Sequence, residues 1–333
     1  MIITNPNVFS DDYLPVVLHR NKQIDEAVYW IRVSSNLGVR LLFFGPPGTG
    51  KTTVAKFIAN KLREEESWNV VYVNAAIHNT SLSLLEGIGN KLGIPSFRGK
   101  AMAEIFNAIS REIDAHTLVI IDEFDSLKDK DVLYGLLRFR ENFGKPLSLV
   151  LITNVPHILA EMDRRFIPFI QSKIEFRRYT VDELKDILYE RARIGLMPSS
   201  FSDDVIGKIA AFASKRGGNA RVAIHLLFYS ARFADMEGKP SIEVSDVDRA
   251  KANMIEAEIS KRSLGLTDGE KKVLEIIANN EGITSGELYN KVKMSERTVR
   301  NYIKHLLDRG LIIARDINTS SGRTRTFLVN IEL

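Results

Sequence analysis

The chain has 333 residues, with 46 Lys and Arg against 42 Asp and Glu for a formal charge of +4, and 44% of its residues are apolar. That is the composition of a globular protein of two or three domains of roughly 100 to 200 residues each, and it excludes collagen, coiled coil and wholesale disorder. The absence of cysteine removes disulfides, thiolate metal sites and cysteine nucleophiles, which leaves chemistry to oxygen, nitrogen and bound cofactors.

The chain opens with MIITNPNVFSDD, acidic where a signal peptide is basic, and no apolar run approaches the roughly 18 residues of a membrane span. The expectation is a cytoplasmic protein with no membrane partner. From residue 39 to residue 179, short apolar runs alternate with helical periodicity. VRLLFFG (39–45), NVVYVNA (69–75), TLVIIDE (117–123), LSLVLITN (147–154) and SKIEFRRY (172–179) are rich in β-branched and aromatic residues and read as strands of one sheet. Helix-spaced apolar residues between them, such as Val54, Phe57, Ile58 and Leu62, complete the βαβ pattern of a parallel sheet buried on both faces.

The turn after the first strand reads GPPGTGKT, a full G-x-x-x-x-G-K-[ST] match with a strand before it and a helix after it. Gly45, Gly48 and Gly50 let the backbone curl so that N–H groups and a helix N-terminus face a phosphate. Lys51 is placed for the β and γ phosphates, and Thr52 offers a hydroxyl to Mg²⁺. The nucleotide cradle is therefore expected over Gly45, Pro46, Pro47, Gly48, Thr49, Gly50, Lys51, Thr52 and Thr53, with ATP or ADP and Mg²⁺ as cofactors. A later strand ends in adjacent acids, Asp122 and Glu123. At the carboxyl end of a parallel strand, Asp122 suits the Mg²⁺ shell together with Thr52, and Glu123 suits orientation of an attacking water. Asn154 ends an apolar strand in a polar tip, fit either to close the strand or to hold that water against the γ-phosphate.

Beyond Thr180 the strand signals stop. Val181, Leu184, Ile187 and Leu188 mark one amphipathic helix, Val205, Ile209 and Phe212 a second, and Val222, Leu226 and Tyr229 a third. A charged helix over about 244–261 leads to a compact C-terminal segment from Thr267. Between Lys291 and Arg325 there are nine Lys and Arg against Glu296, Asp308 and Asp316, an excess of six that exceeds the +4 of the whole chain. The local bias points to a polyanion partner. Within it, helices around Leu274 and Ile277, over 285–292 and over 295–310 precede two alternating runs, LIIARDI and RTFLVNI, joined by NTSSGRT. Three helices and a hairpin make a winged helix. Val299, Ile303, Leu306 and Leu307 form the buried stripe of its third helix, leaving Ser295, Arg297, Thr298, Arg300, Asn301 and Lys304 to face base edges. Arg323 and Arg325 fall on the wing, where arginines suit phosphate or minor-groove contact. Winged helices also serve protein contacts alone.

These residues resemble an AAA+ ATPase. GPPGTGKT is similar to its Walker A motif, LVIIDEFD to Walker B, and Asn154 stands at its first sensor. GGNARVAIHLL (217–227) resembles the second-sensor motif of the lid, which makes Arg221 the arginine expected on the nucleotide; Asn219 replaces the usual neighbouring acid and is expected to serve as a helix cap. EMDRRF (161–166) resembles the arginine-finger segment, with Arg165, or Arg164 beside it, acting on a neighbouring subunit's nucleotide. VFSDDYLPVVLHRNKQIDEA (8–27) resembles the leader of archaeal origin-recognition and cell-division-control type replication initiators, in which the segment packs on adenine. Leu18, His19 and Arg20 match its core; by residue pattern alone the stretch is an apolar loop ahead of an amphipathic helix.

The resemblance covers nearly the whole chain. It implies an α/β AAA+ core over 1–179, a helical lid over 180–262 and a winged helix over 263–333. The function implied is an ATP-dependent replication initiator that binds origin duplex at the nucleoid, helps load the replicative helicase, assembles with other initiator subunits and hydrolyses ATP slowly as a switch. Two other readings share parts of this plan. A Holliday-junction branch-migration motor has the same three parts, but would carry an arginine near the first sensor, which Thr153-Asn154-Val155-Pro156 lacks. A nucleotide-bound transcription regulator would have no use for Asp122 and Glu123. SLSLLEGIGNKLG (81–93) stands where the initiators carry a DNA-contacting insert, yet has little positive charge.

Overall fold

The five apolar runs form five parallel strands. The computed structural model describes residues 1–11, 13, 14, 16–94, 97, 99–155, 165–319 and 322–331, with backbone alone for 318, 319, 322 and 323. It divides into two compact units, one of Leu14–Arg178 and one of Met1–Tyr13 with Tyr179–Leu333.

In the first unit α1 (Asn21–Val33) leads to β1 (Arg40–Phe44), α2 (Lys51–Glu66), β2 (Asn69–Asn74), α3 (Ser81–Lys91), α4 (Met102–Glu112), β3 (Thr117–Asp122), α5 (Asp131–Leu137), α6 (Phe139–Phe143), β4 (Ser148–Thr153) and β5 (Ser172–Glu175). The sheet order is β2-β3-β4-β1-β5, all parallel. Every residue of β3 and β4 is buried, because each strand is covered on both faces. Leu118 and Ile120 pack with Ile58 and Leu62 of α2 and Ile31 of α1. Val119 and Ile121 pack on the other face with Leu84 and Ile88 of α3 and Ile105 of α4. Strand β5 stops at Glu175, short of the expected Tyr179, because its partner β1 ends at Phe44 and turns away at Gly45.

The second unit is helical and then winged. The lid helices are α7 (Val181–Gly195), α8 (Asp203–Lys215), α9 (Ala220–Met236) and α10 (Val244–Arg262). The side chains of Thr180, Ser202 and Asn219 cap the first three of them. Thr180 and Glu183 form a reciprocal capping box at 3.2 and 2.8 Å, and Asn219 Oδ1 accepts the Arg221 N–H at 2.9 Å. Residues before Tyr13 belong to this unit: Phe9 is buried against Phe228, and the Arg191 guanidinium donates to the Val8 carbonyl.

The winged helix follows as α11 (Asp268–Asn279), β6 (Ile283–Thr284), α12 (Ser285–Val292), α13 (Glu296–Asp308), β7 (Ile312–Thr319) and β8 (Gly322–Val329). Its antiparallel sheet runs β6-β8-β7. The two-residue β6 carries too little pattern to be read in advance. The hairpin pairs as far as Thr319 with Gly322, so most of the expected turn is strand. Arg323, expected in the turn, accordingly sits in β8 opposite Asn318, and Arg325 lies in the same strand opposite Asp316.

Within this unit, helical and winged parts meet through charge. Arg216, 5% exposed, stacks its guanidinium 3.7 Å from the centroid of Phe212 and pairs with Glu281, whose second oxygen takes Lys251 at 2.6 Å. Arg315 Nη2 donates to the Ser214 carbonyl at 3.1 Å.

Candidate nucleotide site and nucleic-acid interface

Strand β1 delivers its chain into the glycine loop, and α2 begins immediately after it. Gly45 has φ +145°, and a Cβ there would lie 2.2 Å from the Phe176 carbonyl oxygen, so only glycine fits. Gly50 caps α2 in the left-handed region at φ +89°. Buried Lys51 turns its ammonium onto the carbonyls of Gly45 and Pro46 at 2.8 and 2.7 Å, and the Thr49 hydroxyl donates to the Pro46 carbonyl at 2.8 Å. The ammonium thus lies folded over the loop that its family motif assigns to phosphate.

Thr52 and Asp122, 70 residues apart, meet: the hydroxyl donates to Oδ2 of Asp122 at 2.7 Å. Asp122 is 3% exposed, and its Oδ1 accepts the Glu123 N–H at 2.9 Å. A buried carboxylate beside a half-buried hydroxyl is a pair of hard oxygen donors that suits Mg²⁺. Glu123 follows at φ +52°, a left-handed conformation that costs a non-glycine residue about 1 kcal/mol or more and is commonest at functional sites. Because β4 lies between β1 and β3, its half-buried tip residue Asn154 comes out between the glycine loop and the acid pair.

One contact was not foreseen. The hydroxyl of Tyr72, on β2, also donates to Oδ2 of Asp122, at 2.7 Å. A tyrosine in an apolar strand gives no sign of its partner until strand register is known.

The leader residues take different places. Arg20 is buried, and its guanidinium donates to the carbonyls of Thr49 at 3.0 Å, His19 at 3.0 Å and Arg177 at 2.7 Å. It braces the glycine loop against the segment after β5. His19 is exposed at φ +59° and Leu18 is half-buried. The guanidinium of Arg165 lies 5.4 Å from the Tyr134 ring centroid and 3.7 Å from Asp131; Arg164 lies outside the described residues. Arg221 starts α9, and its Nε pairs with Asp11 at 3.1 Å. His225 lies 4.0 Å from the same carboxylate, and burial pushes its imidazole below the ordinary range despite that acid.

On the winged helix, Val299, Ile303 and Leu306 are buried in α13, Leu307 packs against them half-buried, and Arg297, Asn301 and Lys304 are exposed. Ser295 and Thr298 also cap the helix, Ser295 Oγ accepting the Thr298 N–H at 3.2 Å and lying 2.7 Å from its hydroxyl. Exposed Arg300 is held by Glu296 at 2.9 Å and by the Tyr289 hydroxyl at 3.3 Å. Arg325 pairs with Asp316 at 3.1 Å.

A parallel sheet with this glycine loop, acid pair and helical lid defines the AAA+ ATPase class, and here a winged helix follows it. Family models match as an AAA domain over 40–158, a Cdc6 AAA+ ATPase-type lid domain over 185–252 and a winged helix-turn-helix DNA-binding domain over 270–313. ORC1-type DNA replication protein 1 of Sulfurisphaera tokodaii is 30% identical over 357 aligned residues, 97% of this chain and 89% of the relative. ORC1-type DNA replication protein 2 of Methanosarcina mazei is 32% identical over 302, 85% and 80% of the two chains. The Aeropyrum pernix Orc1 protein, solved in complex with DNA, superposes with a TM-score of 0.72 at 25% identity, covering 99% of this chain and 94% of that one. The chain belongs to the ORC1-type DNA replication proteins.

Proposed function

We propose that this chain is an ATP-dependent replication initiator: it binds origin duplex through the winged helix at the nucleoid, helps load the replicative helicase, and uses slow ATP hydrolysis as a conformational switch. The observation that carries the reading is the meeting of Thr52 and Asp122 at 2.7 Å beside the Lys51 loop, in a chain that ends in a winged helix. Bound Mg²⁺-ATP supplies the γ-phosphate whose loss changes the protein's state. Lys51 shifts its ammonium from the loop carbonyls to phosphate, Thr52 and Asp122 hold the cation, Glu123 orients the attacking water and Asn154 positions it. Residues 45–53 and the leader residues Leu18, His19 and Arg20 shape the nucleotide pocket, Arg20 through its hold on Thr49. Arg221 is the sensor from the lid, and Arg165 is the finger offered to the nucleotide of another initiator subunit.

Arg297, Arg300, Asn301 and Lys304 on α13 read the duplex, with Arg323 and Arg325 of β8 on its backbone, and the Ser295–Thr298 cap fixes the entry of that helix. The three-part division at residues 179/180 and 262/263 assigns nucleotide chemistry, sensing and DNA contact to successive segments. Among the described residues no helix is long and apolar enough to cross a membrane. The test is ATP binding and turnover measured on the same full-length protein. Saturable binding with turnover on the order of 10⁻² s⁻¹ or below, the range of P-loop enzymes without an external activator, supports a switch. Rapid turnover stimulated by four-way junctions would contradict it.

A further inference from the structure

Tyr72 sits in β2, the strand at the edge of the sheet beside β3, and pairs in register with Ile120, two residues before Asp122. Tyr72 and Asp122 share the sheet face covered by α2, at diagonal positions that an aromatic side chain spans. The phenol donates to Oδ2 of Asp122 at 2.7 Å, the oxygen that also accepts the Thr52 hydroxyl at 2.7 Å, while Oδ1 is held by the Glu123 N–H at 2.9 Å. The ring has its own supports. The ammonium groups of Lys56 and Lys91 lie 5.6 and 5.9 Å from its centroid, and Lys91 also donates to the Tyr72 carbonyl.

An aspartate carboxylate turns about a broad, soft torsion, so a cation ligand of this kind needs donors that stop its rotation. The Thr52 hydroxyl can donate its proton to Asp122 and offer a lone pair to a cation at once, provided the accepting oxygen stays where it is. We propose that Tyr72 is a positioning residue for the divalent cation: its hydroxyl pins Oδ2 of Asp122, and through that oxygen aims the lone pair of Thr52. The inference rests on the reading of Thr52 and Asp122 as the cation pair.

The test is Tyr72→Phe, which keeps the ring and its lysines and removes only the hydroxyl. Binding of a fluorescent ADP analogue is titrated in EDTA and then against Mg²⁺, and Mn²⁺ occupancy with ADP is followed by electron paramagnetic resonance. Affinity in EDTA is expected to stay within twofold of wild type, while the cation concentration at half-saturation rises about tenfold in both readouts, as for loss of a group that orients a metal ligand. A rise above threefold with EDTA binding intact supports the role. A smaller change, or loss of nucleotide binding in EDTA, overturns it and leaves the cation pair standing. A wild-type protein whose nucleotide binding ignores both cations overturns the pair and the inference together.

Discussion

Lys51 and Glu123 separate binding from turnover. The Lys51 ammonium spans the carbonyls of Gly45 and Pro46, and residues 45–53 hold no other basic side chain to take over its charge. Lys51→Ala should weaken ATP binding by roughly ten- to a hundredfold, the worth of a charge-assisted bond to phosphate, as measured by equilibrium titration. Unchanged affinity would remove the phosphate assignment. Glu123 has a different task, since its side chain follows the Asp122 backbone through a left-handed turn. Glu123→Gln keeps size and polarity but cannot accept a proton or hold a water as a carboxylate does. It should bind ATP like wild type and lose turnover by about 10²- to 10⁴-fold in a single-turnover assay. Normal turnover in that variant would reassign the acid.

Among the elements, α13 carries the DNA prediction. Its apolar residues at i, i+4 and i+7 are buried, which leaves one face of Arg297, Arg300, Asn301 and Lys304. Arg300 is already oriented by Glu296 and Tyr289, as a side chain that reads a base edge must be. Arg300→Ala should relax sequence preference by about 1–3 kcal/mol at one base position, whereas Arg323→Ala should lower affinity for all duplexes alike and reduce the salt slope by about one unit. Binding assays on a set of single-base variants over a salt series distinguish the two. The elements themselves were legible because their signals are local. Strands buried on both faces must be continuous apolar runs, as in β3 and β4, and four helices begin after Thr180, Asn219, Thr267 and Thr284, whose own side chains accept N–H groups two or three residues on. Side-chain partners distant in sequence were not legible. Nothing near Tyr72 announces Asp122, and nothing in the leader shows that Arg20 braces Thr49.

At the scale of the whole molecule, the ion cluster of Arg216, Glu281 and Lys251 joins the lid to the winged helix in one unit. Burial alone would raise the Glu281 carboxyl, but the Arg216 guanidinium and Lys251 ammonium outweigh it and hold it below the ordinary range. A depressed carboxyl stabilises the fold above the unfolded-chain value near 4.5, and that contribution is lost as pH falls through the lower folded value. Glu281→Gln should therefore destabilise this unit at pH 7, by an amount between the roughly 1 kcal/mol of an exposed pair and the roughly 3–5 kcal/mol of a fully buried one. The gap between variant and wild type should narrow as acid protonates Glu281. Thermal unfolding of both proteins from pH 7 downwards checks the sign, and equal stability at pH 7 would show that the cluster does not hold the two parts together.

Sequence-specific duplex recognition by an ATP-binding chain is the property on which the initiator function depends. Its most direct test is to recover and footprint genomic duplex fragments bound by the purified protein with ATP, at moderately high salt and with a four-way junction as competitor. Contacts to phosphate alone fade under those conditions. A few recurrent protected sites that survive are the predicted result; preference for the junction with no recurrent sequence would contradict it.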